Sequence, residues 1–219
     1  GYRSVFVALK APEPPPGDVT AEQLYALADL ADEYSFGEAR STHRQNLVFA
    51  DVKQADLHAL WLKLVALKLA TPNIGTVTDI ICCPGLDYCS LANAGSIGVV
   101  RELNQALENM DYIHDLGDIK LNISGCMNGC AHQSVGHIGI LGVDKKGVEW
   151  YQITLGGSSE NEAAIGERLG PAVDKTEIVP ALLTILQVYV EQRLEEESFL
   201  NTVKRIGIEP FKEKVYANS

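Results

Sequence analysis

The alternation of apolar and polar positions divides the chain into short strands and amphipathic helices. Ser4-Val5-Phe6-Val7-Ala8-Leu9 is a run of β-formers. It cannot continue through Ala11-Pro12-Glu13-Pro14-Pro15-Pro16-Gly17, because proline removes ladder donors. Thr20 and Gln23 have the spacing of a capping box, and Leu24, Leu27, Ala28 and Ala31 recur at helical intervals, which predicts a helix over Ala21 to Tyr34. Arg40 to Val52 is again rich in β-formers, and Leu57, Leu60, Trp61 and Leu64 mark a second helix.

Beyond a candidate boundary at Thr71-Pro72-Asn73-Ile74-Gly75, Thr76 to Cys82 reads as a strand and Ser90 to Met110 as largely helical. Ile119 to Ser124 is a further strand. Gly136 to Val143 and Val148 to Leu155 are β-rich and meet at Asp144-Lys145-Lys146-Gly147, a hairpin turn. From about Thr176 the tail is helical, with Ile178, Leu182, Ile185 and Tyr189 on one face. A last helix runs through Phe199, Val203 and Ile206, after the solvated run Glu195-Glu196-Glu197. No strict βαβ period emerges, so the class is α+β, with a first domain over 1–75 and a second over 76–219.

Composition narrows the function. With 46% hydrophobic and 21% charged residues the chain should bury a real core. A net charge of −11 argues against nucleic acid and anionic membranes as partners. No apolar run is long enough to span a bilayer, and the segment from Gly1 lacks a signal peptide's pattern, so a cytoplasmic location is expected. Five cysteines are too few for a disulfide scaffold, and an odd number cannot pair completely within one chain.

Four of those cysteines lie in two motifs, Cys83-Pro84-Gly85-Leu86-Asp87-Tyr88-Cys89 and Gly125-Cys126-Met127-Asn128-Gly129-Cys130. Each follows an expected strand end, where unpaired backbone N–H groups are available to anionic sulfur. Soft iron or zinc favours thiolates. Gly85, Gly125 and Gly129 would let backbone approach a bulky inorganic centre. An iron–sulfur cluster, a zinc site and unliganded thiols all fit this spacing. Either Cys82 or Cys83 could pair with Cys89, because neighbouring strand residues face opposite ways.

The run Ser124-Gly125-Cys126-Met127-Asn128-Gly129-Cys130, with C-x5-C upstream, resembles the cluster signature of siroheme-dependent sulfite and nitrite reductases. Arg40-Ser41-Thr42-His43-Arg44-Gln45-Asn46 is similar to the strand R-x-T-x-x-Q-N of that family's second ferredoxin-like half. Leu155-Gly156-Gly157, Ile165-Gly166, Tyr189 to Arg193 and Glu197-Ser198-Phe199 also agree. The resemblance implies a ferredoxin-like half-domain followed by a mixed α/β domain that binds siroheme and a [4Fe-4S] cluster. Cys83, Cys89, Cys126 and Cys130 would be the cluster ligands, and Cys130 would also be the axial, bridging thiolate of siroheme iron. Cys82 then becomes a core thiol. Arg40, Arg44, Gln45 and Asn46 become candidates to contact siroheme, although Gln45 and Asn46 could equally pair with strand-end backbone. His132 is expected at the surface or behind the ligands.

The implied reaction is six-electron reduction of sulfite to sulfide or of nitrite to ammonia, with a flavoprotein or ferredoxin as electron donor. Family members are about twice this length or more, and their substrate-gripping basic residues come from an N-terminal portion. A centre of four thiolates, a multi-carboxylate macrocycle and an anionic substrate needs cationic walls, yet this chain has 18 basic and 29 acidic residues. The expected partner is therefore the N-terminal half of the same reductase, without which the chain is inactive. Met127 stands where proline is common in the family, which removes no ligand. The rival readings are a [4Fe-4S] electron-transfer subunit without siroheme and a zinc-stabilised interaction domain.

Overall fold

The computed structural model describes residues 1–12, 14–107 and 109–217, and the backbone alone of Met110. Glu13 of the proline loop and Glu108 of the expected Ser90–Met110 helix lie outside the described residues, as do Asn218 and Ser219. The chain divides into two compact units, Gly1–Ile74 and Gly75–Ser219.

In the first unit, strand β1 (Tyr2–Val7) and the short β2 (Arg40–Ser41) both pair antiparallel with β3 (Leu47–Lys53), which lies between them. Helix α1 spans Ala21–Tyr34 and starts with the capping box expected of Thr20 and Gln23. Helix α2 spans Leu57–Ala66. Val7, Leu27, Leu30, Phe49, Val52, Leu60 and Leu64 form the core between sheet and helices. The β-rich stretch Arg40 to Val52 is two strands and not one. Thr42 Oγ1 accepts from the N–H groups of Arg44 and Asn46 at 3.3 and 3.1 Å, closing a turn that competes with the ladder, and Gln45 sits at φ 58°.

The second unit is built on a mixed sheet. Strands β4 (Ile81–Cys82), β5 (Leu121–Ser124) and β6 (Ile138–Lys145) are parallel neighbours, and β7 (Val148–Leu155) is antiparallel to β6. Two short strands, β8 (Glu167–Arg168) and β9 (Val173–Asp174), pair with β7. The β6–β7 hairpin closes through Lys146 and Gly147, both at positive φ, as a two-residue turn of this handedness requires. Helices α3 (Ile97–Ala106), α4 (Met110–Asp115), α5 (Ile178–Gln192), α6 (Phe199–Ile206) and α7 (Glu209–Val215) complete the unit. On α5, Ile178, Leu182, Ile185 and Tyr189 are all buried, as their spacing requires.

Two expected elements are shorter than their sequences suggest. Of Thr76 to Cys82 only Ile81–Cys82 is strand. Upstream of it the Thr76 and Thr78 hydroxyls bond to each other at 3.0 Å, and Asp79 N–H donates to Thr76 O at 3.0 Å, which makes a turn. The expected Ser90–Met110 helix is α3 alone up to Ala106, because Asn93 and Ala94 donate their N–H groups to Gly125 O at 2.9 and 3.0 Å instead of to a helical turn.

Those bonds lay the segment around Ala94 and Gly125 directly on the sheet, over Gly142 of β6. A Cβ at Gly142 would come within 2.6 Å of Gly125 O and 2.7 Å of Ala94 Cβ. Gly142→Ala should therefore cost about 1–3 kcal/mol by overpacking. Denaturant unfolding followed by tryptophan fluorescence, with Trp150 eight positions along on the paired strand, would show the loss, and unchanged stability would mean that the loops do not press on the sheet.

Candidate functional site

Both cysteine motifs begin where adjacent parallel strands end. Cys82 pairs with Ile123 across β4 and β5, and Cys83 N–H extends the ladder by donating to Ile123 O at 3.1 Å. The chain then leaves the sheet in two neighbouring loops. The crevice outside the carboxyl ends of parallel strands is a recurrent ligand site in α/β sheets.

The loops touch through Gly125. Its N–H donates to Cys83 Sγ at 3.0 Å, and its carbonyl accepts from Asn93 and Ala94 as described above. The first loop turns back on itself: Cys89 N–H donates to Gly85 O at 2.9 Å, Leu86 N–H to Ala94 O at 3.2 Å, and Gly85 bridges Gly95. Gly85 adopts φ 58°, and a Cβ there would lie 2.7 Å from Ser96 N and 2.9 Å from Ala94 O. At Gly125 a Cβ would lie 2.6 Å from Ala94 O and 2.8 Å from Gly85 Cα. No larger residue fits either position without moving backbone.

The second loop hangs from side chains of the strand that feeds it. Asn122 and Ser124 share one face of β5. Ser124 Oγ accepts from Ala131 N–H at 3.1 Å, and Asn122 Nδ2 donates to His132 O at 3.2 Å, so both grip the chain just after Cys130. Within the loop, Gly129 at φ 66° receives the N–H of His132 on its carbonyl at 2.8 Å.

The sulfurs are placed differently. Cys82 is buried in the hydrophobic core, and its thiol donates to Cys83 O at 3.1 Å. Cys83 is half-buried and faces the other way, with Ser96 Oγ 3.8 Å from its Sγ in addition to Gly125 N–H. Cys89 is half-buried, Cys126 buried and Cys130 exposed at the outer end of its loop. None of the five is in a disulfide. Around them Leu86, Tyr88, Leu91 and Met127 are exposed, the last by 83%. Among the described residues no group of three or more His, Cys, Asp or Glu side chains is arranged to hold a single metal ion.

The remaining candidates lie in the first unit. Arg40 is exposed and ion-paired with Glu38 at 2.5 Å. Arg44 and Gln45 lie in the turn between β2 and β3, half-buried. Asn46 is buried, and its Oδ1 accepts from Leu9 N–H at 3.1 Å, so that oxygen serves the unit's own strand end. His132 is exposed at φ 53°, and His137 is buried, with Nδ1 accepting from Lys120 N–H at 3.2 Å. Sequence reasoning gave no role to Asn122 or Ser96, and took Ser124 only as the opening residue of the cysteine signature. Asn122 and Ser124 had a legible signal in their i, i+2 spacing on a strand leading into a cysteine loop. Ser96 had none.

With this geometry in hand, the comparisons with known proteins are specific. The nitrite/sulfite reductase ferredoxin-like half domain matches residues 5–67, and the nitrite and sulphite reductase 4Fe-4S domain matches residues 74–219. The chain belongs to the nitrite/sulfite reductase family. An assimilatory ferredoxin-dependent nitrite reductase of Haloferax mediterranei is 30% identical over 87% of the chain and 33% of its own length. A sulfite reductase [ferredoxin] of Mycobacterium tuberculosis is 31% identical over 94% of the chain and 38% of its own length. The solved structure of the Mycobacterium tuberculosis NirA protein superposes with a TM-score of 0.77 at 30% identity, covering 95% of this chain and 39% of that one. A dissimilatory sulfite reductase I shares the fold, with a TM-score of 0.80 at 15% identity over 99% of this chain and 69% of that one. The chain thus spans about a third of the length of the curated relatives it matches.

Ser124→Ala would leave the buried N–H of Ala131 without its acceptor, at a cost of roughly 1–3 kcal/mol. The expected readouts are lower stability to denaturant and faster alkylation of Cys130 in the metal-free chain. Alkylation at the parent rate would show that Ser124 does not hold the loop.

Proposed function

We propose that the chain is the C-terminal part of an assimilatory-type sulfite or nitrite reductase, in which Cys83, Cys89, Cys126 and Cys130 hold a [4Fe-4S] cluster and Cys130 also ligates siroheme iron. The observation that carries this is the meeting of the two cysteine loops through Gly125 at the ends of paired parallel strands. The residues fit the cofactors. Four free thiols supply soft ligands, the Gly125 N–H is directed at the Cys83 sulfur, and Gly85 and Gly125 keep Cβ atoms out of the space between the loops. The exposed Cys130, on loops that also expose Leu86, Tyr88, Leu91 and Met127, suits a sulfur that must reach the apolar ring face of a large macrocycle. Cys82, committed to the core, is left out of the ligand set.

When bound, the two centres would supply electron transfer to sulfite or nitrite, while this chain's residues hold and orient them. Cys83 and Cys89 would be held by the Gly85–Gly95 bridge, and Cys126 and Cys130 by Asn122 and Ser124. Arg40, Arg44 and Gln45 are our candidates for the siroheme periphery, with Asn46 as the buried residue that shapes their turn. The cations needed around anionic cofactors and substrate exceed what a chain of net charge −11 offers, and the relatives' greater length supplies a place for them. The partner is then the N-terminal half of the same reductase, and the donor a ferredoxin or flavoprotein. Reduced thiol ligands fit a cytoplasmic setting. Among the described residues no helix is long and apolar enough to cross a membrane.

Reconstitution with iron, sulfide and siroheme tests the ligand set. The parent chain and Cys82→Ser should both develop broad iron–sulfur absorption with a weak Soret band, because much of the counter-charge for siroheme is missing, and Cys126→Ser should lose the cluster. Cluster without any Soret band would favour an electron-transfer subunit, and full occupancy in Cys126→Ser would remove Cys126 from the ligands. Methyl-viologen-driven sulfite reduction should be undetectable with the purified 219-residue chain, and turnover by it would refute the need for the other half.

A further inference from the structure

Besides Asn122 and Ser124, a second group of polar side chains converges from the sheet on the backbone of the cysteine loops. Glu149 and Tyr151 alternate on β7 and so share a face. Glu149 Oε2 accepts the N–H of Gly95 at 2.6 Å, and the Tyr151 hydroxyl donates to Gly95 O at 2.8 Å, with Glu149 Oε2 as its second acceptor at 3.2 Å. Both polar groups of Gly95 are thereby held by side chains 54 and 56 residues away. Lys175 balances the other carboxylate oxygen at 3.0 Å.

Gly95 is a lever on the first cysteine loop. On one side it bridges Gly85, two residues after Cys83. On the other it leads into Ser96, fully buried, whose hydroxyl donates to Cys83 O at 2.5 Å and lies 3.8 Å from Cys83 Sγ. We propose that Glu149 and Tyr151 are positioning residues for iron ligation, clamping Gly95 so that Gly85 and Ser96 hold the Cys83 thiolate in its ligating direction. The proposal rests on the cluster assignment made above.

The protonation states suit a static clamp. Hydrogen bonding from Gly95 N–H holds the Glu149 carboxyl below its ordinary range, with help from Lys175, so it stays an acceptor. Burial and the adjoining Glu149 charge push the Tyr151 phenol far up, so it stays a donor. A ring that is fully buried on the sheet and satisfied at its polar tip moves little, which is what a clamp requires. The cysteine loop itself has no comparable core of its own, since Pro84, Leu86, Asp87 and Tyr88 are all exposed.

The test uses the full chain in two forms. In the metal-free form, amide exchange of peptides spanning 83–96 should be about tenfold faster in Glu149→Ala and in Tyr151→Phe, the factor that loss of one buried hydrogen bond carries. Glu149→Gln, which keeps an acceptor oxygen, should remain within about twofold of the parent. The β6 amides should not change in any of them, which separates a loosened loop from a misfolded domain. After loading with iron and sulfide, Glu149→Ala and Tyr151→Phe should show a shifted midpoint potential and altered EPR g values at parental iron content, with the Gln variant restoring both. Unchanged exchange would overturn the clamp, and faster exchange with parental potential and g values would overturn its role in ligation. A parent chain that takes up no cluster would instead reject the cluster assignment, leaving the exchange comparison to decide whether the clamp holds the loop.

Discussion

Gly125 is the point on which the site depends. Its N–H reaches the sulfur of Cys83 and its carbonyl receives two N–H groups from the far end of the first loop, so one residue ties together motifs some forty positions apart in the chain. A single hydrogen bond of this kind is worth only about 1 kcal/mol net. The arrangement therefore needs close packing as well, and three glycines supply it: Gly85 and Gly125 against each other and Ala94, and Gly142 beneath them on the sheet. Remove that closeness and the hydrogen bonds lose their reach.

The sheet works as a platform with two distinct tasks. Its parallel half, β4 and β5, releases both cysteine loops from adjoining strand ends. Its antiparallel half, the β6–β7 hairpin, lies below the loops and carries both the glycine that admits them and the Glu149–Tyr151 pair that meets Gly95. The loops expose sulfur at Cys130 while their backbone is anchored to the hairpin through Gly95. The same division explains the surface: the sheet side of the loops is buried, and Leu86, Tyr88, Leu91, Met127 and Cys130 face outward.

Local chemistry makes much of this architecture legible in the sequence. Thr20 and Gln23 cap α1, Lys146-Gly147 turns the hairpin, and the apolar stripe of α5 faces the core, because each of these signals acts within a few residues of itself. The errors share one cause. Thr76 to Asp79 and Ala92 to Ser96 have the residues of a strand and of a helix start, but their backbone groups are taken by side-chain turns or by Gly125, a competitor not visible within the segment. Likewise Thr42 breaks a β-rich stretch by capping a turn with its own hydroxyl.

By itself the sequence determined that the chain carries two short cysteine motifs at strand ends, that glycines flank them, and that 29 acidic against 18 basic residues give it a net charge of −11. Spacing and composition act through local sterics and net electrostatics, which need no knowledge of distant neighbours. Only the tertiary structure decided that Cys82 turns into the core while Cys83 turns to Gly125, and that Asn122, Ser124, Glu149 and Tyr151 brace the loops. Those choices depend on which strands become neighbours and in what register, a property of long-range pairing that no local window of residues contains.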